Sequence, residues 1–294
     1  MNFFLPTALL LLSLLATSAI PLGSQHNHLV SRQAPNTVSY MYPNNQTASY
    51  NVTAWLVPIT VAQAASMAGG KSLIRPTGLP GGFSITTGQH LMLIVGGYFH
   101  DIRQLNLLTV QELSAIEVYI PWVDGNTDGS TPYLYNYKGY LDQLIPTLVG
   151  NLVQSAASLP GLFDPAHAAY KAIGSSTLSF NVDFGIPGGL LGLPGLTTPV
   201  FVSTFSRSTS TALTVPFMQS VMQQPMVRTN DPNTCTQTLY FFNETFADTF
   251  KVQGSLQTFS SLTSSTMSFS NAQGISGTAE WITPTQGYPC STYA

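Results

Sequence analysis

The sequence predicts an α+β chain that is mainly β, an antiparallel sheet or barrel carrying two or three short helices in a single domain. Three observations predict it. From Ser176 onward apolar residues recur at every second position: Leu178, Phe180, Val182 and Phe184 alternate with Ser179, Asn181 and Asp183. Similar runs follow at Val200 to Phe205, Leu239 to Phe246, Val252 to Phe259 and Thr278 to Ile282, separated by Ser, Thr, Gly and Pro. Further upstream, His90 to Tyr98 (HLMLIVGGY) is apolar enough to be a strand covered on both faces.

The other elements follow in order. Val52 to Val57 reads as a strand, and Thr60 can cap a short helix over Val61 to Ala68 that Gly69-Gly70 then stops. Ile116 to Trp122 is a strand with Glu117, Tyr119 and Pro121 on one face and Ile116, Val118 and Ile120 on the other. Tyr133 to Tyr137 reads as a strand, and Leu141 to Leu152 has helical spacing interrupted by Pro146 and Gly150. Gly185 to Pro199 (GIPGGLLGLPGLTTP) fits either a tight connection packed across the end of the barrel or a mobile apolar lid over a pocket.

Domain organisation is read from the N-terminus. Phe3 to Ile20 is an apolar run without an ionisable side chain, followed by small residues suited to signal peptidase. Residues 1–19 are therefore expected to be a signal peptide, 20–50 a polar extended leader and 51–294 one folded domain. The mature protein is expected to be secreted and extracellular, with no stable membrane anchor after cleavage. Three N-glycosylation sequons begin at Asn45, Asn51 and Asn243. The only two cysteines, Cys235 and Cys290, are expected to pair in an oxidising compartment.

Composition narrows the function. Nine Lys+Arg and 12 Asp+Glu make 7% of 294 residues charged, against about 25% in a typical soluble protein. A net charge of −3 without a basic cluster excludes a phosphate-backbone binder, so no nucleic-acid partner is expected. The five histidines lack the short spacing of a zinc site, no Gly-x-Ser-x-Gly elbow is present, and Gly69-Gly70-Lys71-Ser72 lacks the first glycine of a phosphate-binding loop. No metal or cofactor is expected; the partner is a small-molecule substrate or ligand. What remains are isolated charges in apolar surroundings, chiefly Arg75 and Glu117. They form either a structural ion pair or a pocket in which Arg holds a carboxylate and Glu manages a proton.

The order of elements resembles the acetoacetate decarboxylase-like superfamily from about Trp55 to Ser158, and more weakly on to Trp281. The most recognisable piece is Tyr133 to Ser158: an aromatic strand, Tyr140-Leu141-Asp142, a short apolar helix and Val149-Gly150. The resemblance implies an active-site glutamate at Glu117 and a carboxylate-binding arginine at Arg75. It also implies that Ser158 stands where the family has the lysine that forms a Schiff base with a β-keto acid. Asn151-Leu152 and Ala157-Ser158 replace the family's Arg-Glu and Pro-Lys, and serine forms no iminium. Of the four lysines, Lys138 and Lys171 are the nearest substitutes in sequence. Two functions remain open: a lyase or related enzyme on a small keto acid or polyketide-type metabolite, with Glu117 and Ser158 as catalytic residues, or a non-catalytic pocket for an apolar small molecule.

Overall fold

A computed structural model describes residues 35–104, 108–143, 158–186, 196–229, 231–243 and 247–294. Three long strands form the middle of the molecule: β1 (Asn45–Thr60), β2 (Gln89–Gln104) and β3 (Leu108–Asp124). Between β1 and β2 lies α1 (Val61–Met67), where Thr60 and Gln63 form a reciprocal capping box. Next come β4 (Pro132–Leu141), β5 (Ser158–Pro160), β6 (Leu162–Asp164), β7 (Lys171–Ala172), β8 (Leu178–Ser179), β9 (Asn181–Ile186) and β10 (Leu196–Arg207). The chain then forms α2 (Val215–Met222), β11 (Met226–Arg228), β12 (Asp231–Thr236), β13 (Leu239–Phe241), β14 (Phe250–Thr258), β15 (Met267–Pro284) and β16 (Tyr288–Pro289).

All described strands join one sheet, whose main path runs β16-β12-β11-β4-β3-β2-β1-β15-β14-β10-β8-β7. The mainly β class expected from the sequence is found, but the sheet is not closed into a barrel. Its path ends on β16 and β7, strands of two residues each that pair with different neighbours. It is also mixed, because β4 pairs in parallel with both β11 and β5. Alternation along a strand reports its two faces and says nothing of closure or of partner direction.

The central strands are buried on both faces. Trp55, Ile94 and Val118 belong to one core cluster with Phe180, Phe201 and Phe205. Their chain neighbours Leu56, Leu93 and Tyr119 belong to the other, with Met218, Val221 and Met222 of α2. Such doubly covered strands read as continuous apolar runs, as Leu91 to Val95 does. Thr214 caps α2 and a proline occupies its first turn. That helix was not expected from the sequence.

The fold begins upstream of the expected boundary. β1 starts at Asn45, and Asn36, Val38 and Ser39 are buried. Asn36 donates to Thr47 Oγ1 at 3.0 Å and to the Asp101 carbonyl at 2.8 Å, while the Thr37 hydroxyl donates to Glu280 at 3.0 Å. Residues from Asn36 onward therefore belong to the folded unit, although they fall in the stretch read as a leader. Polar side-chain bonds hold them, and these leave no periodic trace in the sequence. Residues 1–34, with the expected signal peptide, lie outside the described residues, as do 144–157, which include most of the expected helix, and 187–195 of the Gly/Pro segment. Leu141 itself ends β4.

Cys235 and Cys290 form a disulfide that ties β12 to the C-terminal turn. Asn243 is exposed, whereas Asn45 and Asn51 are half-buried in β1. Asn51 lies between Tyr98 and Thr278 and accepts a 2.7 Å bond from the Thr278 hydroxyl.

Close strand approach makes Gly97 a sensitive position. A Cβ there would lie 2.0 Å from the Asn51 carbonyl oxygen, which is fixed in the central sheet. Gly97→Ala is expected to lower stability by about 1–3 kcal/mol or more, as other overpacking changes do. Urea unfolding followed by tryptophan fluorescence measures it, and an unchanged midpoint would contradict this packing.

Candidate functional site

Strand period places Ala115, Glu117 and Tyr119 on the β3 face that packs against Leu93 and Val95 of β2. Glu117 lies opposite Val95 on one side and Gly139 of β4 on the other. Gly139 in turn lies opposite Ser158 of β5, which is buried. A Cβ on Gly139 would sit 3.0 Å from Glu117 Cγ and 3.5 Å from Ser158 Oγ. Glycine thus allows Glu117 to pack closely over this position, with Ser158 on its other side. The structure brings these two expected residues to one row of the sheet.

Glu117 is held at both oxygens. Tyr119 Oη donates to Oε2 at 2.5 Å, and Asn136 Nδ2 donates to Oε1 at 3.2 Å. Asn136 reaches it because the β3–β4 register shifts after Val118, which sets Asn136 opposite Tyr119. Burial raises the Glu117 pKa above the ordinary carboxyl value, and the bonds from Tyr119 and Asn136 offset only part of that. Burial also raises the Tyr119 pKa well above normal, with the Glu117 charge adding to it. Tyr50 and Tyr240 are raised in the same way, burial first, and both feel the Glu117 charge. One carboxyl and three phenols therefore share a desolvated region. Asn136 Oδ1 is buried there with no partner among the described residues.

A small cavity adjoins this group, with room for about one water. Tyr119 and Tyr240 line it, with Leu93, Val95 and Leu134 from the sheet and Met222 from α2. Gln224 also lines it, and its Oε1 accepts the Trp122 N–H at 3.1 Å. Trp122 sits at φ 53° where the β3–β4 pairing is interrupted, a conformation that costs a non-glycine residue roughly 1–3 kcal/mol.

Arg75 is not brought to Glu117. It is exposed, following Ile74, whose N–H donates to the Trp122 carbonyl at 2.7 Å. Among the described residues no ion pair joins Arg75 to Glu117, and Arg75 does not line the cavity. The lysines also engage elsewhere. Lys138 Nζ donates to the Ser261 carbonyl at 2.9 Å, Lys171 pairs with Asp164, and Lys71 and Lys251 donate to the carbonyls of Pro232 and Thr211. Lys138 adjoins Gly139, so strand alternation turns it to the face away from Glu117. No cluster of metal-ligating side chains occurs among the described residues.

Sequence reasoning had Tyr119 on the Glu117 face but gave it no role; its i+2 spacing was the available signal. Asn136, Tyr240 and Gln224 carried no comparable mark, because a register shift and two distant segments bring them in.

Solved structures match over most of the chain. An enduracididine biosynthesis enzyme, MppR, complexed with pyruvate aligns with a TM-score of 0.50 and 12% identity, covering 90% of this chain and 95% of that one. An acetoacetate decarboxylase gives 0.47 and 15%, covering 84% and 89%. Another, from Legionella pneumophila, gives 0.42 and 10%, covering 83% and 86%. No family model and no curated protein matches the sequence. The protein has an acetoacetate decarboxylase-like fold, as the resemblance implied. At this identity the likeness extends to the fold alone.

The raised Glu117 pKa has a consequence for stability. A carboxyl whose folded pKa lies above its unfolded value contributes stability that is complete below the unfolded pKa and lost as pH rises through the folded one. Wild type and Glu117→Gln are therefore expected to converge below about pH 4. From the ordinary carboxyl range upward, wild type should lose stability relative to the variant. Chemical unfolding across pH 3.5 to about 8 checks this; a constant difference would refute a raised pKa.

Proposed function

We propose that this chain is a secreted, glycosylated, acetoacetate decarboxylase-like enzyme, a lyase or related activity acting on a small keto acid or polyketide-type metabolite without a lysine imine. The observation that carries the reading is the desolvated Glu117 carboxyl, fixed at both oxygens by Tyr119 and Asn136. A carboxyl that retains its proton to higher pH is a competent acid, and its conjugate base is stronger than an ordinary carboxylate. Tyr119 connects it to the cavity. Ser158, at the position where the resemblance implies the family's lysine, lies across Gly139 from Glu117.

With the four amines directed elsewhere, charge that develops on a carbonyl oxygen has to be stabilised by hydrogen bonds rather than by a protonated imine. The exposed Arg75 takes no part in that chemistry. Extracellular residence is supported by the Cys235–Cys290 disulfide and by an exposed sequon at Asn243. Among the described residues no helix is long and apolar enough to cross a membrane. The second reading, a binding protein for an apolar small molecule, is supported by the apolar side chains that line most of the cavity.

Turnover separates the two. The purified, disulfide-intact chain is incubated with a panel of 2-keto acids, 3-keto acids and β-dicarbonyl compounds, and products are followed by NMR. Wild type is expected to convert at least one compound, and Glu117→Gln to lower that rate by about 10²–10⁴-fold. Borohydride added during turnover is expected to leave every lysine unmodified. A trapped lysine adduct, or a fully active Glu117→Gln, would overturn the mechanism; binding without turnover across the panel would favour the second reading.

A further inference from the structure

The donors around the cavity point to the charge of its ligand. None of the described residues lining it is cationic. Its walls are apolar at Leu93, Val95, Leu134, Met222 and Met226. Tyr119, which lines the cavity, is bonded to the Glu117 carboxyl, itself an acid. A carboxylate placed there would be desolvated next to a like charge without a counter-ion, which is the costly arrangement.

Two side chains instead offer neutral donors. Tyr240 lines the cavity with a phenolic O–H, a group able to donate. Gln224 has committed its carbonyl oxygen to the Trp122 N–H, so the group it retains for a ligand is its NH2. Trp122, held in its left-handed conformation, fixes which end of Gln224 remains available.

We propose that this cavity receives an uncharged carbonyl compound, a ketone or ester, whose oxygen is held by Tyr240 and Gln224 while Tyr119 relays a proton between its α-carbon and Glu117. The proposal rests on the proton-transfer reading of Glu117 given above and, of the two substrate types in that reading, keeps the uncharged polyketide-type carbonyl compounds and sets aside the keto acids, which are carboxylates at neutral pH. In the step, the C–H pair of the α-carbon becomes the C=C bond of an enol or enolate. The carbonyl π pair moves onto the oxygen that faces Tyr240 and Gln224. The released proton passes to Tyr119 Oη as the Tyr119 proton passes to Glu117 Oε2, and return of a proton reverses the sequence with no other reactant. Met222 and Met226, unbranched and adaptable, are the wall residues that can move to admit a ligand larger than water.

The test compares methyl acetoacetate with acetoacetate, which differ chiefly in charge at neutral pH. Dissociation constants are measured by ligand-observed NMR on the unaltered full chain. The ester is expected to bind about tenfold or more tightly than the acid. Tyr240→Phe, with its fold checked by near-ultraviolet circular dichroism, is expected to weaken ester binding by about 3- to 10-fold. Equal or tighter binding of acetoacetate, no binding of the ester, or a folded Tyr240→Phe that binds the ester unchanged would each overturn the proposal. Deuterium exchange at the ester α-carbon in D2O is read in the same samples. Ester binding with no exchange above background would keep the neutral-ligand assignment and remove the enzyme reading on which the relay rests.

Discussion

Burial of β1, β2 and β3 on both faces is the constraint on which the rest of the structure depends. Each of these strands has 16 or 17 residues, and adjacent side chains enter opposite cores: Trp55 and Leu56, Ile94 and Leu93, Val118 and Tyr119. Two faces require two covers. One is supplied by β9, β10 and the aromatic residues Phe180, Phe201 and Phe205, the other largely by α2. This also accounts for the low charge of the chain, since an ionised group on any of these faces would need a partner or would shift its pKa.

Glu117 is such a group, and the candidate site follows from how it is tolerated. It stands on a doubly covered strand, bonded by Tyr119 and Asn136, with Tyr50 and Tyr240 close enough to feel its charge. The expense of burying it is only partly offset, as its raised pKa records. Perturbed groups of this kind, retained at a cost to stability, concentrate at functional sites.

Strand type was legible wherever one residue in two reported a face. HLMLIVGGY read as a two-faced strand because both faces are apolar, and Thr60 announced α1 because its cap is local. The Asn36–Ser39 stretch was not legible, because its attachment is made by polar bonds to Thr47, Asp101 and Glu280, residues near and far in the chain. Closure into a barrel was equally beyond a period-two pattern, and the short ends β16 and β7 leave the sheet open. Arg75 was singled out for its rarity and its apolar neighbours. In the fold Ile74 takes the inward position, and the next residue along an extended chain faces outward.

The sequence by itself determined the mainly β class, the pairing of the only two cysteines and the place of Glu117 inside an apolar strand, because composition and local period carry those facts. The tertiary structure decided what surrounds Glu117. A one-residue register shift delivers Asn136, parallel pairing on β4 delivers Ser158 across Gly139, and β13 brings Tyr240 from more than a hundred residues away. Strand pairing between distant segments set these neighbours, and pairing register is a property of the assembled sheet rather than of any one of its strands.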